Sequence, residues 1–224
     1  MKKALSVYGI AYLLLLIFLF GLQYVYPKLE LHLLLNSYHT GALDTFFTYY
    51  SILAEWPLYI VALLPLFWKK YRITLFFFLS ELLGGVVLQI LKHVINMDRP
   101  VCVFEHFPQM MLPLVKGIDL HHSNSFPSGH ASTFFVFFTC CVLLLAYQYQ
   151  LRGLRNSRRR WCLINMVALV LLVLAALGAY SRVYLSQHFL LDISVGSIIG
   201  FVSPFLIFYF GRNKILKLQK KEKE

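Results

Sequence analysis

Long apolar runs, broken by short polar and basic punctuation, set the pattern of this chain. Runs over about 7–26, 50–68, 72–95, 130–149, 161–180 and 190–210 each approach the ~20 apolar residues that cross a bilayer as a helix. The pattern predicts an all-α fold, a polytopic membrane helical bundle with six transmembrane helices, forming one domain over 1–224. Tyr24, Tyr26, Trp56, Trp68 and Trp161 fall near span ends, where an interfacial aromatic belt belongs. Pro57 and Pro65 predict kinks in the second span. Between the first two spans, "LELHLLL" within 29–49 is expected to lie flat in the interface as an amphipathic segment. No internal repeat is visible.

Composition agrees with the pattern. Hydrophobic residues make up 59% of the chain and charged ones 14%, whereas soluble domains are roughly 45–50% apolar. The net charge of +11 raises the question of nucleic acid, but no soluble basic module exists to carry it. Most cations instead flank apolar runs: Lys2 and Lys3, "KKYR" from Lys69 to Arg72, "RGLRNSRRR" from Arg152 to Arg160, and a charged tail from Arg212. Six spans place all four groups on one face, which the positive-inside bias makes cytoplasmic together with both termini. Residues 27–49, 96–129 and 181–189 then face outward. The short chain and lysine-rich tail suggest a bacterial inner membrane, with its periplasmic side bearing the outer loops. "AYLLLLIFLFG" after Lys3 is expected to be an uncleaved first span, since the run is long and no small-x-small cleavage site follows. Cys140, Cys141 and Cys162 lie in apolar runs and Cys102 in a polar loop, so neither a disulfide framework nor zinc spacing results.

The outward face carries polar residues that a bilayer protein places at a cost. In "KHVINMDRP", Lys92 and Arg99 are seven residues apart, about two helical turns, so both can point one way before Pro100 stops the helix. Taken alone, that is also how snorkelling at a helix end looks. In "NSFPSGHAS", Ser128, Gly129 and His130 precede a long apolar run. A helix N-terminus offers free N–H groups and a positive dipole end to an anion, and Gly129 lets the backbone come close. A plain serine N-cap fits the same residues. In "YSRVYLSQHFLLD", His188 and Asp192 are four apart and can share a helix face, while Arg182 offers a planar fork for phosphate oxygens. A helical His–Asp pair is by itself more often structural. Together, three cations, an anion-binding turn and two histidines on one membrane face suit phosphoryl transfer, where catalysis is largely positioning and charge neutralisation.

Lys92–six residues–Arg99-Pro100, then Pro127-Ser128-Gly129-His130, then Ser181-Arg182–five residues–His188–three residues–Asp192 resembles the three-part signature of the type 2 phosphatidic acid phosphatases. These belong to the superfamily that includes bacterial acid phosphatases, glucose-6-phosphatase and vanadium haloperoxidases. All signature positions are present in order, and the likeness covers the chain from the third span onward, leaving the first two spans and the tail only a topological part. The resemblance implies that His188 is the nucleophile, forming a phosphohistidine, and that Asp192 orients it. It implies that Lys92, Arg99 and Arg182 bind phosphoryl oxygens with Ser128 and the Gly129 N–H, that His130 protonates the leaving group, and that no metal or other cofactor is needed. Its substrate would be a membrane lipid phosphate or diphosphate: undecaprenyl diphosphate, phosphatidylglycerol phosphate, phosphatidate or a lipid A phosphate. The alternatives are a vanadate-dependent haloperoxidase and a non-catalytic lipid-binding or transport protein. Oligomeric state is not indicated.

Some polar residues fall outside this pattern. Glu81 lies eleven residues before Lys92 and is expected to pair structurally with another span, although an intramembrane acid is also a functional candidate. Glu55 is expected near the outer interface. His106, Asp119, His121 and His122 share the long outer loop without a standard metal-ligand spacing. His39 and His93 carry no signal.

Overall fold

The computed structural model describes residues 2–151 and 158–215. The basic loop from Arg152 to Ser157 and the tail beyond Ile215 lie outside the described residues. Among the described residues eight helices follow one another: α1 (Lys2–Val25), α2 (Lys28–Leu35), α3 (Gly41–Ile52), α4 (Trp56–Ile95), α5 (Pro100–Glu105), α6 (Gly129–Leu151), α7 (Arg158–Tyr184) and α8 (Leu190–Ile215). The architecture is all-α, as the apolar runs predict. The charged tail expected from Arg212 begins inside α8, which runs on to Ile215.

Among the described residues, five helices are each long and apolar enough to span a bilayer, within Leu5–Val25, Lys70–Glu105, Gly129–Gln150, Arg159–Tyr184 and Leu190–Gly211. The second predicted span differs from its expectation. Residues 50–68 are not one helix: α3 ends at Ile52, and the first limb of α4 departs at 68° to it. Glu55 at the break is extended (φ −73°, ψ 139°), and Pro57 sits in the first turn of α4. Proline has no N–H to give to a preceding turn, so it begins a helix here and does not bend one. If that bent pair counts as one crossing, the spans number six. Pro65 stays within α4, and the non-helical residue of that helix is Lys70 (φ −147°, ψ 50°), where the basic "KKYR" segment had predicted a turn between two spans.

The α2 segment forms a short helix with one face turned to the protein. Leu31 and His32 are buried, and the His32 ring packs between Phe104 and Phe189. Its leucines have two faces, and the inner one closes over the bundle.

Helices α6 and α8 form the centre. At Gly196 a Cβ would collide with the Ser128 carbonyl oxygen, and at Gly200 with that of Ser132. These two glycines allow the backbones to meet, the usual device where apolar lipid gives helices little reason to associate. Around this seam Tyr12, Phe135, Leu172 and Ile193 form one buried cluster. Phe76, Val136, Leu143 and Phe208 form another toward α4. Buried hydroxyl pairs join α1 to the centre, with Tyr8 Oη 2.8 Å from Thr139 Oγ1 and Tyr12 Oη 3.0 Å from Ser197 Oγ.

Candidate active site

Four helix ends meet at one end of the bundle: the C-terminal turn of α4, the N-terminus of α6, the C-terminal turn of α7 and the N-terminus of α8. Lys92, His130, Arg182 and Asp192 stand on these ends. The helices alternate in direction, so residues nearly 100 positions apart in the chain become neighbours. Asn96 stops α4 in the left-handed region (φ 34°) with its N–H on the Lys92 carbonyl. After it the chain turns so that Arg99 points back into the bundle.

His188 lies in the short join between α7 and α8 and is 2% exposed. Its Nδ1 is 3.5 Å from Asp192 Oδ2 and 3.5 Å from Ser125 Oγ. The Ser125 hydroxyl donates to the same Asp192 oxygen at 2.5 Å, and the Phe189 N–H donates to it at 2.9 Å. A carboxylate held from two further sides keeps its oxygen on Nδ1, so Nδ1 bears the ring proton and Nε2 keeps the lone pair. Burial pulls the imidazole down to about 4, against the opposing pull of the Asp192 hydrogen bond. His188 is therefore neutral near pH 7, the state in which a histidine can attack as a nucleophile.

Three cations gather around it. Arg99 is 8% exposed. Its Nε donates to the Ser123 carbonyl at 2.9 Å, and its Nη1 donates to the Gln187 carbonyl at 3.2 Å and side-chain oxygen at 3.0 Å. Arg182 donates from Nη1 to Ser51 Oγ at 2.5 Å, while its buried Nε has no partner among the described residues. Lys92 is half-buried and interacts electrostatically with Arg99, Arg182 and Asp192. His130 is half-buried and within the electrostatic reach of Arg182, His188, Arg99 and Lys92. Three positive charges with Asp192 as the one buried carboxylate among the described residues around them leave a cationic excess that an anion would relieve.

The anion-binding turn is more committed than its sequence suggests. Ser128 is fully buried, its N–H donates to the Asp192 carbonyl at 3.0 Å, and its Oγ accepts from the Ala131 N–H at 3.4 Å. Ser128 thus caps α6 and ties it to α8. The next two amides, of Gly129 and His130, are among the N–H groups that a helix start leaves free.

All eight residues singled out from the sequence come to this end of the bundle. Several that no pattern marks support them. Ser125 braces Asp192, Ser51 holds Arg182, and Gln187 holds Arg99 while donating to the Asp119 carbonyl at 3.0 Å. Ser51 belongs to α3, so the segment before the third span supplies more than topology. Glu81 pairs with another span, as expected: Thr133 Oγ1 of α6 donates to its Oε1 at 2.6 Å. His39 bridges Asp44 and Asn36 at 2.9 and 2.7 Å. Where the chain runs from α5 to α6, His122 lies 3.9 Å from Glu105 and both are exposed.

The chain is similar to known proteins in sequence and fold. The probable diacylglycerol pyrophosphate phosphatase 1 of Schizosaccharomyces pombe is 30% identical over 156 residues, 64% of this chain and 53% of its own. The chain thus spans about half the length of that relative. The crystal structure of Aquifex aeolicus LpxE superposes with a TM-score of 0.62 at 25% identity, covering 81% of this chain and 94% of that one. The first transmembrane PAP2-type phosphatidylglycerolphosphate phosphatase from Bacillus subtilis shares the fold over 99% of this chain and 100% of its own, with a TM-score of 0.56 at 21% identity. The sequence pattern of the PAP2 superfamily matches residues 73–216, a stretch that holds Lys92, Arg99, His130, Arg182, His188 and Asp192. This integral membrane protein therefore belongs to the PAP2 superfamily.

Proposed function

We propose that the chain is a metal-independent lipid phosphatase that cleaves a phosphomonoester or diphosphate headgroup through a phosphohistidine at His188. The observation that carries this reading is the neutral, carboxylate-braced imidazole of His188 set among Lys92, Arg99 and Arg182. The three cations hold the equatorial oxygens of the phosphoryl group, with the free amides at the start of α6. In-line attack by His188 Nε2 forms the N–P bond and breaks the bond from phosphorus to the leaving oxygen. His130 gives that oxygen a proton. The positive charge growing on the His188 ring is met by Asp192 through Nδ1–H. His130, now a base, takes a proton from water, whose oxygen attacks phosphorus, releasing phosphate and restoring His188. The chain is one catalytic domain in this reading, and it needs neither metal nor other cofactor because side-chain cations supply the positive charge.

The relatives' names, a diacylglycerol pyrophosphate phosphatase and a phosphatidylglycerolphosphate phosphatase, favour a lipid phosphate or diphosphate as substrate. Phosphatidate, phosphatidylglycerol phosphate, undecaprenyl diphosphate and lipid A phosphates all fit the chemistry. The site and the basic "KKYR" segment lie at opposite ends of the second limb of α4, since Lys70 precedes Lys92 by 22 residues of helix, about 33 Å at 1.5 Å per residue. The positive-inside bias then places the site on the outer face, periplasmic in a bacterial inner membrane. Phosphate release by purified protein in detergent, with chelator present and across these four lipid classes, tests the reading. Release abolished by His188→Ala is expected. Release by His188→Ala at the unsubstituted rate would refute the mechanism, and no release from any lipid would refute the activity.

A further inference from the structure

Beneath the site, a cleft of about 640 Å³ opens sideways between the two limbs of α4 and the start of α6, lined by Trp56, Tyr59, Ile60, Leu82, Val86 and Thr133 among others. It leads toward the site along two helices at once. Gln89 on its wall is three residues before Lys92, and Thr133 is three after His130, so each wall residue sits one turn below a site residue on the same helix side. In the other direction the cleft shares Ile60, Leu63 and Phe78 with a second, apolar cavity of about 360 Å³ that reaches Tyr71. From Gln89 to Tyr71 is 18 residues, about 27 Å of helix, enough for a long hydrocarbon chain. Among the mostly apolar residues of this wall, with Gln89 and Thr133 toward the site, stands one acid. Glu81 lines the cleft. Its Oε1 is taken by Thr133, and its buried Oε2 has no partner among the described residues.

Buried polar atoms are normally satisfied, and an intramembrane acid is costly to keep. No cation pairs with Glu81 among the described residues, so the form that avoids a lone ion is the acid, with an O–H donor at Oε2. Resting on the lipid phosphatase reading, we propose that this cleft seats one acyl chain of the substrate and that Glu81 donates a hydrogen bond to its ester carbonyl. Glu81 is then a specificity residue that favours acylated glycerol phosphates over lipid phosphates whose chains carry no carbonyl, such as polyprenyl or ether-linked ones. Thr133 holds the carboxyl in place from the catalytic helix.

The test compares dioctanoyl phosphatidate with its ether-linked analogue of equal length. Wild-type protein should turn over the ester with kcat/KM about tenfold higher, the effect of one buried hydrogen bond. Glu81→Leu should lose about tenfold on the ester and nothing on the ether, while Glu81→Gln, which keeps a donor, should retain the preference. Equal losses on both substrates, or an unchanged preference in Glu81→Leu, would overturn the assignment. A second arm needs no turnover. In His188→Ala, a phosphatidate carrying a diazirine at its acyl end should cross-link to the cleft near Ile60, Leu63 or Phe78, and the ether analogue should capture less. Cross-links confined to other helices, or equal capture of both probes, would overturn it. Failure of wild type to release phosphate from either lipid, with the cleft still labelled, would sink the phosphatase reading and leave the chain-binding site standing.

Discussion

Replacing Ser125 with alanine should slow turnover while leaving substrate affinity nearly unchanged. Ser125 touches Asp192 at 2.5 Å and lies 3.5 Å from His188 Nδ1, so it acts on the reaction only through those two side chains. A hydrogen bond to a charged group contributes about 1.5–3 kcal/mol, and each ~1.4 kcal/mol is tenfold in rate. Full loss at the transition state would be about 10- to 100-fold in kcat. Asp192 keeps the Phe189 N–H at 2.9 Å, which retains part of its orientation, so the lower half of that range is expected. Initial-rate kinetics on a short-chain phosphatidate in detergent give kcat and KM separately. The double variant with Asp192→Ala supplies the control: once the carboxylate is gone, removing Ser125 should cost almost nothing more. A wild-type kcat in Ser125→Ala, a loss confined to KM, or additive losses in the double variant would each refute the argument.

Burial holds the His188 imidazole neutral down to about pH 4, so kcat/KM should fall as pH drops through that region, where the ring gains a proton and loses its attacking lone pair. Asp192 favours the protonated ring, hence Asp192→Asn should shift the acid limb to still lower pH, and a limb near 6.5 in the wild type would contradict the site's burial. Arg182→Lys should lose about 100-fold in kcat/KM, because an ammonium cannot span Ser51 and a phosphate oxygen together as the planar fork does. The seam should be sensitive to size: Gly200→Ala drives a Cβ into the Ser132 carbonyl and should destabilise by about 1–3 kcal/mol, seen as a lower Tm in detergent. Gly21→Ala meets nothing within 4 Å and should be neutral or stabilising by up to ~1 kcal/mol. For orientation, a cysteine at exposed His121, in a background without the four native cysteines, should react with an impermeant thiol reagent from outside intact cells, and reaction only after permeabilisation would invert the topology.

The sequence by itself determined the class of protein, marked the five helices of bilayer length, and singled out the residues proposed to carry the chemistry. Apolar runs of bilayer length leave few alternatives to helices, because every backbone amide in lipid must be satisfied within its own segment. Lys92, Arg99, His130, Arg182, His188 and Asp192 stood out because charges and imidazoles next to such runs are costly. Only the tertiary structure decided what holds them. Ser125, Ser51 and Gln187 are ordinary residues, and what marks them is contact with partners 67, 131 and 88 positions away, a distance no local periodicity records. The same limit explains the second span, where an apolar run hides a 68° break, since hydropathy measures the solvent a segment prefers and not its direction. It explains α2 as well, whose apolar face was legible while the choice between lipid and Phe189 was not. Glu81 shows both halves of the lesson. The sequence marked the acid as unusual, and the fold set it on the wall of a cleft, with Thr133 on one oxygen and no partner among the described residues on the other.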